Sequence, residues 1–249
     1  MIDSSFRPSR GRLPRKSDAE RLAAQAWSPP PDAERFRWRD AAPALAAVVS
    51  VTGSSSNAGK TWVAERTIAW LRGRGRRVTA LKVTRTHEGT CPRANDACGT
   101  CDSLGGAFEI VDDPRRLAEP RKDTARYVDA GATQVLWLLV RPDAVRRGLL
   151  AALARVEPGA VLVVEGNSYR AFGDADLTLM AATDAHEIKP SALGIAGAVD
   201  VVLARPEALE AVARWSWGRD PAPEIRSAAE VDAVLDARGP GRGLDADGR

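Results

Sequence analysis

Short apolar runs alternate with longer amphipathic stretches through the middle of the chain. Runs of this length, rich in Val and Leu, are typical of strands that are buried on both faces of a sheet. They predict strands at residues 46–52, 77–83, 134–140, 160–164, 177–181 and 199–203. Helical patterns or a helix-opening proline predict helices at 60–72, 122–130 and 142–156, and from Pro206 onward. The alternation predicts an α/β fold, a mostly parallel sheet with helices on both faces.

The two ends and one central stretch lack this alternation. Residues 1–42 are rich in Arg, Pro and Ser, with one helical pattern at 18–27, and we expect a flexible basic extension there. Residues 236–249 predict a flexible tail. The domain between them, 43–235, contains a polar stretch at 84–120 that holds all the cysteines, and loops of that length are often functional.

Composition and charge narrow the classes of partner. The 249 residues include 36 basic and 33 acidic side chains, a net charge of +3, so nucleic-acid binding is not expected. The hydrophobic fraction of 44% suits one α/β domain. No apolar run reaches the roughly 20 residues of a membrane helix, and no secretory signal is visible at the N-terminus. We expect a cytoplasmic protein that does not contact a membrane.

A glycine- and serine-rich segment joins the first predicted strand to the first predicted helix. It reads Gly-Ser-Ser-Ser-Asn-Ala-Gly-Lys-Thr, and in this context backbone N–H groups and a helix N-terminus bind phosphates. Five residues rather than four separate the two glycines, so a serine occupies the usual first-glycine position. Lys60 is expected to reach the β- and γ-phosphates and Thr61 to bind Mg²⁺. We predict a nucleotide-binding loop made of Gly53, Ser54, Ser55, Ser56, Asn57, Ala58, Gly59, Lys60, Thr61 and Trp62.

This segment resembles the lengthened P-loop of dethiobiotin synthetase and cobyric acid synthase. Three later landmarks are similar to the molybdopterin-guanine dinucleotide biosynthesis adaptor protein B family. They are the strand at 78–87 with its Lys-Val-Thr-Arg-Thr-His end, Lys-Asp-Thr at 122–124 followed by Ala-Gly-Ala at 130–132, and Val-Glu-Gly at 164–166. The landmarks follow the family order from residue 46 to 166. The cysteine-containing loop departs from that family.

Three charged residues near predicted strand or helix ends are candidates for phosphate chemistry. Glu165 ends an apolar strand, where a P-loop protein usually keeps an acid that holds Mg²⁺ or orients the attacking water; a structural salt bridge is the alternative. Asp123 opens a helix, either as a Mg²⁺ ligand or as a plain N-terminal acid. The family comparison implies that Lys82 neutralises phosphate charge; a solvent-facing lysine is the alternative. We predict Lys60, Lys82 and Glu165 as catalytic residues, and Thr61, Asp123 and Glu165 as Mg²⁺ ligands.

The three cysteines are spaced as C-x6-C-x2-C within the polar stretch. Cys91, Cys98 and Cys101, with His87 four residues upstream, predict a Zn²⁺ or iron–sulfur site, because thiolates at C-x2-C spacing can chelate one metal. Three reduced cysteines in a mobile loop are the alternative. An odd number of clustered cysteines argues against a disulfide framework.

Three functional hypotheses fit these features. The first, which the resemblance implies, is a nucleotide hydrolase that assists maturation of a molybdopterin-type cofactor in a protein client. GTP is the nucleotide of that family, but no guanine-reading Asn-Lys-x-Asp occurs, so ATP stays open. The second is an ATP-dependent ligase of the dethiobiotin synthetase type, and the third a metal- or cluster-carrying scaffold switched by nucleotide. A homodimer is expected by analogy, with Arg121 or Arg126 as candidates to act across it.

Overall fold

The computed structural model of the chain describes residues 36–86, 104–183, 188–215, 217 and 220–240. The strands found there are β1 (Ala47–Gly53), β2 (Val78–Arg85), β3 (Phe108–Val111), β4 (Gln134–Val140), β5 (Val161–Glu165), β6 (Leu177–Ala182), β7 (Val201–Ala204) and β8 (Glu224–Ser227). They form one sheet in the order β3-β4-β2-β5-β1-β6-β7-β8. Every neighbouring pair is parallel except β3 with β4, which is antiparallel.

Helices fill most of the connections between these strands. The α-helices of the described residues are α1 (Trp38–Ala41), α2 (Lys60–Gly73), α3 (Pro114–Leu117), α4 (Asp123–Asp129), α5 (Val145–Leu153), α6 (Pro190–Leu193), α7 (Leu209–Ala213) and α8 (Val231–Arg238). Short 3-10 helices occupy Pro142–Ala144, Ser168–Ala171, Ala196–Ala198, Pro206–Ala208 and Ala228–Glu230. None of the helices in this part of the chain combines the length and the apolar character that crossing a membrane requires.

The central strand β1 is buried along its whole length. Its alternate side chains point to opposite faces of the sheet, as the pleat requires. Val49 and Val51 pack in a cluster with Ile68 of α2, whereas Val48 packs in a second cluster with Leu149 of α5. Both faces of the sheet are therefore covered by helices, which explains why the strand sequence is apolar at nearly every position.

The predicted α/β class and its central elements are confirmed. All the predicted strands are present with ends shifted by at most two residues, and the first predicted helix, 60–72, is α2. The helices predicted from Pro142 and Pro206 both open with a 3-10 turn before α5 and α7. Proline fixes φ near the helical value but removes a backbone donor, so it favours such a first turn.

The prediction of a loop throughout 84–120 is wrong for part of that stretch. β2 continues to Arg85, and β3 and α3 lie within the predicted loop. β3 is held at the sheet edge by its antiparallel pairing with β4. Its four residues are too few to show the alternation of apolar and polar positions that indicates a strand. The sequence analysis also missed β8, which forms the opposite edge of the sheet, and α8, which packs against α2.

Residues 36–41, which the sequence analysis assigned to the extension, pack against the domain. Trp38 in α1 is buried and meets the rings of Phe36 and Tyr169 edge to face, with centroids 5.5 and 5.7 Å away. A Cβ at Gly173 would lie 2.5 Å from Nε1 of Trp38, so the absence of a side chain there makes room for the indole. The helical pattern at 18–27 and most of the predicted C-terminal tail lie outside the described residues.

Candidate functional site

The carboxyl ends of β1, β5 and β2 are adjacent, because β5 lies between the other two strands. In the register of these pairs, Glu165 is opposite both Val51 of β1 and Lys82 of β2. The loop after β1 and the side chains of Lys82 and Glu165 therefore lie at one edge of the sheet. Ligands of open α/β folds bind at this edge.

The loop after β1 turns the chain directly into α2. Asn57 and Gly59 have φ values of 58° and 97°, so the backbone enters the left-handed region twice within the loop. Glycine adopts this region without steric cost, and asparagine tolerates it better than most residues. Gly59 precedes Lys60, the first residue of the 14-residue α2. The positive end of the α2 dipole consequently lies at the loop.

The side chain of Lys60 folds back over this loop. Its Nζ donates to the carbonyl oxygen of Ser55 across 3.1 Å. A Cβ at Gly53 would lie 2.6 Å from Cγ of Lys60, so glycine at this position leaves the path of the lysine open. Burial lowers the pKa of Lys60, and the positive charges of Lys82 and Lys189 act in the same direction against the opposing charge of Glu165. A bound anion would favour the ammonium form.

The other loop positions differ in exposure. Ser54, Ser55 and Ala58 are buried, whereas Ser56, Asn57 and Trp62 are exposed. The Oγ of Ser54 has no hydrogen-bond partner among the described residues. Trp62 belongs to the first turn of α2 and is 37% exposed.

The buried carboxylate of Glu165 accepts hydrogen bonds from three donors. Nζ of Lys82 lies 2.9 Å from Oε1, and the Thr61 hydroxyl donates to Oε2 across 3.2 Å. The hydroxyl of Tyr127, in α4, donates to the same Oε2. Lys82 also forms an ion pair with Asp123, the first residue of α4. One lysine thus bridges two carboxylates that come from different elements.

Electrostatics stabilise the charged forms of this cluster. Burial by itself would lower the pKa of Lys82, but the adjacent carboxylates of Glu165 and Asp123 outweigh it and hold the pKa above its usual value. Burial would likewise raise the pKa of Asp123, but the charge and hydrogen bond of Lys82 outweigh it and hold the pKa below its usual value. Lys82 is therefore a paired, largely buried cation rather than a solvent-facing lysine.

The oxygen atoms at this edge suit a magnesium ion. Thr61, Asp123 and Glu165 supply a hydroxyl and two carboxylates, and Mg²⁺ in nucleotide sites is held by one or two carboxylates together with phosphate oxygens. The hydroxyl of Thr61 already contacts Glu165, and Lys82 forms ion pairs with both Glu165 and Asp123. In the described ranges, no group of three or more His, Cys, Asp or Glu residues could hold a metal.

Three residues of this region were missed by the sequence analysis. Tyr127 donates to Glu165, and Asn167 bonds to both backbone groups of Gly53. Lys189 donates from its backbone N–H to the carbonyl of Ser54 across 2.8 Å, and from Nζ to Oγ of Ser56. Asn167 follows the strand-end Glu165 by two positions, which is a signal that could have been used. Nothing in the sequence indicated Lys189.

Several predicted site residues cannot be placed by the structure. His87, Cys91, Cys98 and Cys101 lie outside the described residues, so the predicted Zn²⁺ or iron–sulfur site gains no support.

Among the candidates for a dimer contact, Arg126 pairs with Glu65 of its own chain and Arg121 is exposed with a φ of 71°.

The mostly parallel sheet, the loop after β1 and the helix that begins at Lys60 define the chain as a P-loop protein of the α/β class. No protein-family model matches the chain, and no curated protein matches it in sequence. The resemblance to the molybdopterin-guanine dinucleotide adaptor family is therefore not confirmed.

Among solved structures, the chain is similar to LpxK from Aquifex aeolicus, an "apo" form in complex with ATP. The identity is 16% and the TM-score 0.42, over 72% of this chain and 52% of LpxK. The chain thus spans about half the length of LpxK. A similarity at this level does not extend to activity or substrate.

Proposed function

We propose that the protein binds a nucleoside triphosphate with Mg²⁺ and catalyses transfer of its terminal phosphoryl group, with water as the simplest acceptor. One observation supports this most directly: the charged side chains of Lys60, Lys82, Asp123 and Glu165 converge with Thr61 beside a glycine-flanked loop at a helix N-terminus. Phosphoryl transfer depends mainly on positioning and charge neutralisation, which such a cluster can supply.

Each residue has a role in this proposal. The loop amides and the start of α2 bind phosphate oxygens, and Lys60 turns from the Ser55 carbonyl to the β- and γ-phosphates. Thr61, Asp123 and Glu165 would hold Mg²⁺, which supplies charge neutralisation and orientation of the phosphates. Lys82 is held at the same edge by two carboxylates and can neutralise charge on the transferred group. Tyr127 fixes the orientation of Glu165.

The wider role is proposed from sequence motifs. Four landmarks, the loop after β1 and the three segments at 78–87, 122–132 and 164–166, follow each other in the family order. This order favours assistance to metal-cofactor maturation of the molybdopterin type, with GTP or ATP as the nucleotide. The form of the loop favours the alternative, a ligase of the dethiobiotin synthetase type, which turns over rapidly only with its small carboxylic acid. The protein client and the homodimer rest on the resemblance alone.

Binding of ATP and GTP, measured by calorimetry with and without Mg²⁺, tests the nucleotide assignment. We expect wild type to bind and Lys60→Ala to lose binding with its fold intact. Arg226→Ala is the charge-matched control, because Arg226 is exposed on β8, three strands away from β1, and should leave binding unchanged. No binding by wild type, or unchanged affinity in Lys60→Ala, would refute the assignment. Phosphate release by the same proteins separates a hydrolase from a switch.

Metal binding by the cysteine loop is a separate proposal, supported by the spacing of its cysteines. Metal and sulfide content after anaerobic purification, with an absorption spectrum, tests it. Zinc or iron should be present in wild type and absent from a Cys98→Ser/Cys101→Ser variant. Absence of metal from both proteins would leave a nucleotide-dependent adaptor or ligase without a metal site in that loop.

A further inference from the structure

The side chain of Asn167 is hydrogen-bonded to both backbone groups of one residue in the phosphate loop. The N–H of Gly53 donates to Oδ1 of Asn167 across 3.0 Å, and Nδ2 of Asn167 donates to the carbonyl oxygen of Gly53 across 2.9 Å. The second Nδ2 hydrogen faces Oγ of Ser191 at 3.3 Å. Gly53 is both the last residue of β1 and the first residue of the phosphate loop.

These bonds continue the β1–β5 ladder beyond the point where backbone pairing stops. The last strand pair is Val51 with Glu165, and the N–H of Gly166 then donates to the carbonyl of Val51 across 3.0 Å. The backbone after Glu165 turns away at Gly166, which has a φ of 146°. A Cβ there would lie 2.9 Å from the carbonyl oxygen of Val83. The carboxamide of Asn167 takes the place of the next peptide group.

The opposite side of the same loop is held by β6. Gly53 is the last residue of β1 that pairs with β6, opposite Ala181. The N–H of Ser54 then donates to the carbonyl oxygen of Ala181 across 2.9 Å. At Ser54 the loop is therefore attached through backbone groups of Ala181 and Lys189, whereas at Gly53, on the β5 side, it is attached by the side chain of Asn167.

We propose that Asn167 is a positioning residue that holds the phosphate loop in its anion-binding conformation through the two backbone hydrogen bonds to Gly53. The inference rests on the proposed binding of a nucleotide to this loop. Asparagine is suited to the task because its amide is a donor and an acceptor at fixed separation, like a peptide group. A loop that is already ordered loses little conformational entropy when the triphosphate binds, and this raises the affinity.

Binding of inorganic tripolyphosphate and of Mg·ATP tests the proposal directly. Asn167→Leu removes both hydrogen bonds, and we expect its affinity for either ligand to fall about tenfold. The two losses should be equal, since Asn167 acts on the phosphates only through the loop. Ser191→Ala is the control, since it removes only the longest of the three contacts and should change affinity less than about threefold.

A further readout separates positioning from a general loss of structure. Hydrogen exchange of peptides covering 54–59 should speed up in Asn167→Leu without ligand, while peptides from the middle of β1 and β6 keep their wild-type protection.

Wild-type affinity for tripolyphosphate in Asn167→Leu, or wild-type hydrogen exchange of its 54–59 peptides, would overturn the proposal. Failure of wild type to bind either ligand would instead refute the proposed function on which it rests.

Discussion

The ammonium group of Lys82 lies 2.9 Å from Oε1 of Glu165, and their side chains are only 16% and 3% exposed. The two residues face each other on β2 and β5, so the sheet register brings them together. A buried carboxylate needs such a partner, because removing water from an ion is costly unless opposite charge and hydrogen bonds replace it.

Loss of this lysine should destabilise the fold. We expect Lys82→Met to lower the free energy of unfolding by about 3 kcal/mol, since Glu165 is left as a buried charge with only hydroxyl donors. Urea unfolding of wild type and variant measures the change. Arg214→Met is the comparison: it breaks an exposed ion pair with Glu210 on α7 and should cost less than about 1 kcal/mol.

Neutralising Glu165 in the same protein should offset part of that loss. We expect Lys82→Met/Glu165→Gln to be more stable than Lys82→Met alone, because no uncompensated charge remains beside Tyr127 and Thr61. The same unfolding experiment completes the double-mutant cycle. Simple additivity of the two single changes would contradict a direct interaction between the side chains.

Acid should weaken the ion pair of Lys82 with Asp123. The pKa of Asp123 is held below its ordinary value of 3.8, so its contribution is fully present above pH 3.8 and is lost as pH falls through the lower folded value. The pKa of Lys82 is raised above 10.5, so its contribution is lost only as pH rises through the still higher folded value. The difference in free energy of unfolding between wild type and Asp123→Asn should therefore narrow below pH 4. Unfolding experiments at a series of pH values measure it.

Binding of phosphates should couple to protonation of Lys60. Its pKa is held below the ordinary 10.5 by burial and by the charges of Lys82 and Lys189, and a bound triphosphate favours the ammonium form. Affinity should therefore fall as pH rises through the lowered pKa, with proton uptake on binding in that range. Calorimetry in two buffers of different ionisation enthalpy measures the uptake. Lys60→Arg, whose guanidinium stays charged, should remove it.

The glycine that opens the phosphate loop should be required for binding more than for stability. In Gly53→Ala the new Cβ lies within 2.9 Å of Cγ and Cδ of Lys60, so the flexible lysine must leave its path over the loop. We expect nucleotide affinity to fall about tenfold, with a change of less than about 1.5 kcal/mol in the free energy of unfolding. Calorimetry and urea unfolding measure the two quantities.

Gly73 at the end of α2 is the matched control for this substitution. A Cβ there meets no atom within 4 Å, so Gly73→Ala should leave affinity unchanged and stabilise the helix by about 0.5 to 1 kcal/mol. Equal loss of affinity in the two variants would argue against a specific role of Gly53.

Local sequence pattern was sufficient for the elements that define the class. β1, the loop and α2 are contiguous, and each has a sequence signal within a few residues. The signals are an apolar run, a serine- and glycine-rich turn, and a helical repeat of apolar positions. The other central strands were predictable for the same reason, since strands covered on both faces are apolar throughout. The edge strands β3 and β8 were not, because four residues supported mainly by a neighbour carry no period of their own.

The sequence by itself therefore determined the α/β class, the serine- and glycine-rich loop that leads from β1 to Lys60 and Thr61 of α2, and the presence of charged residues at strand ends. Only the tertiary structure decided that Lys82, Asp123, Tyr127 and Glu165 form one cluster and that Asn167 binds Gly53. These partners are 38 to 114 positions apart along the chain. They meet because strand order and register align the ends of β1, β5 and β2. The pattern of apolar and polar residues within one strand predicts neither the order nor the register.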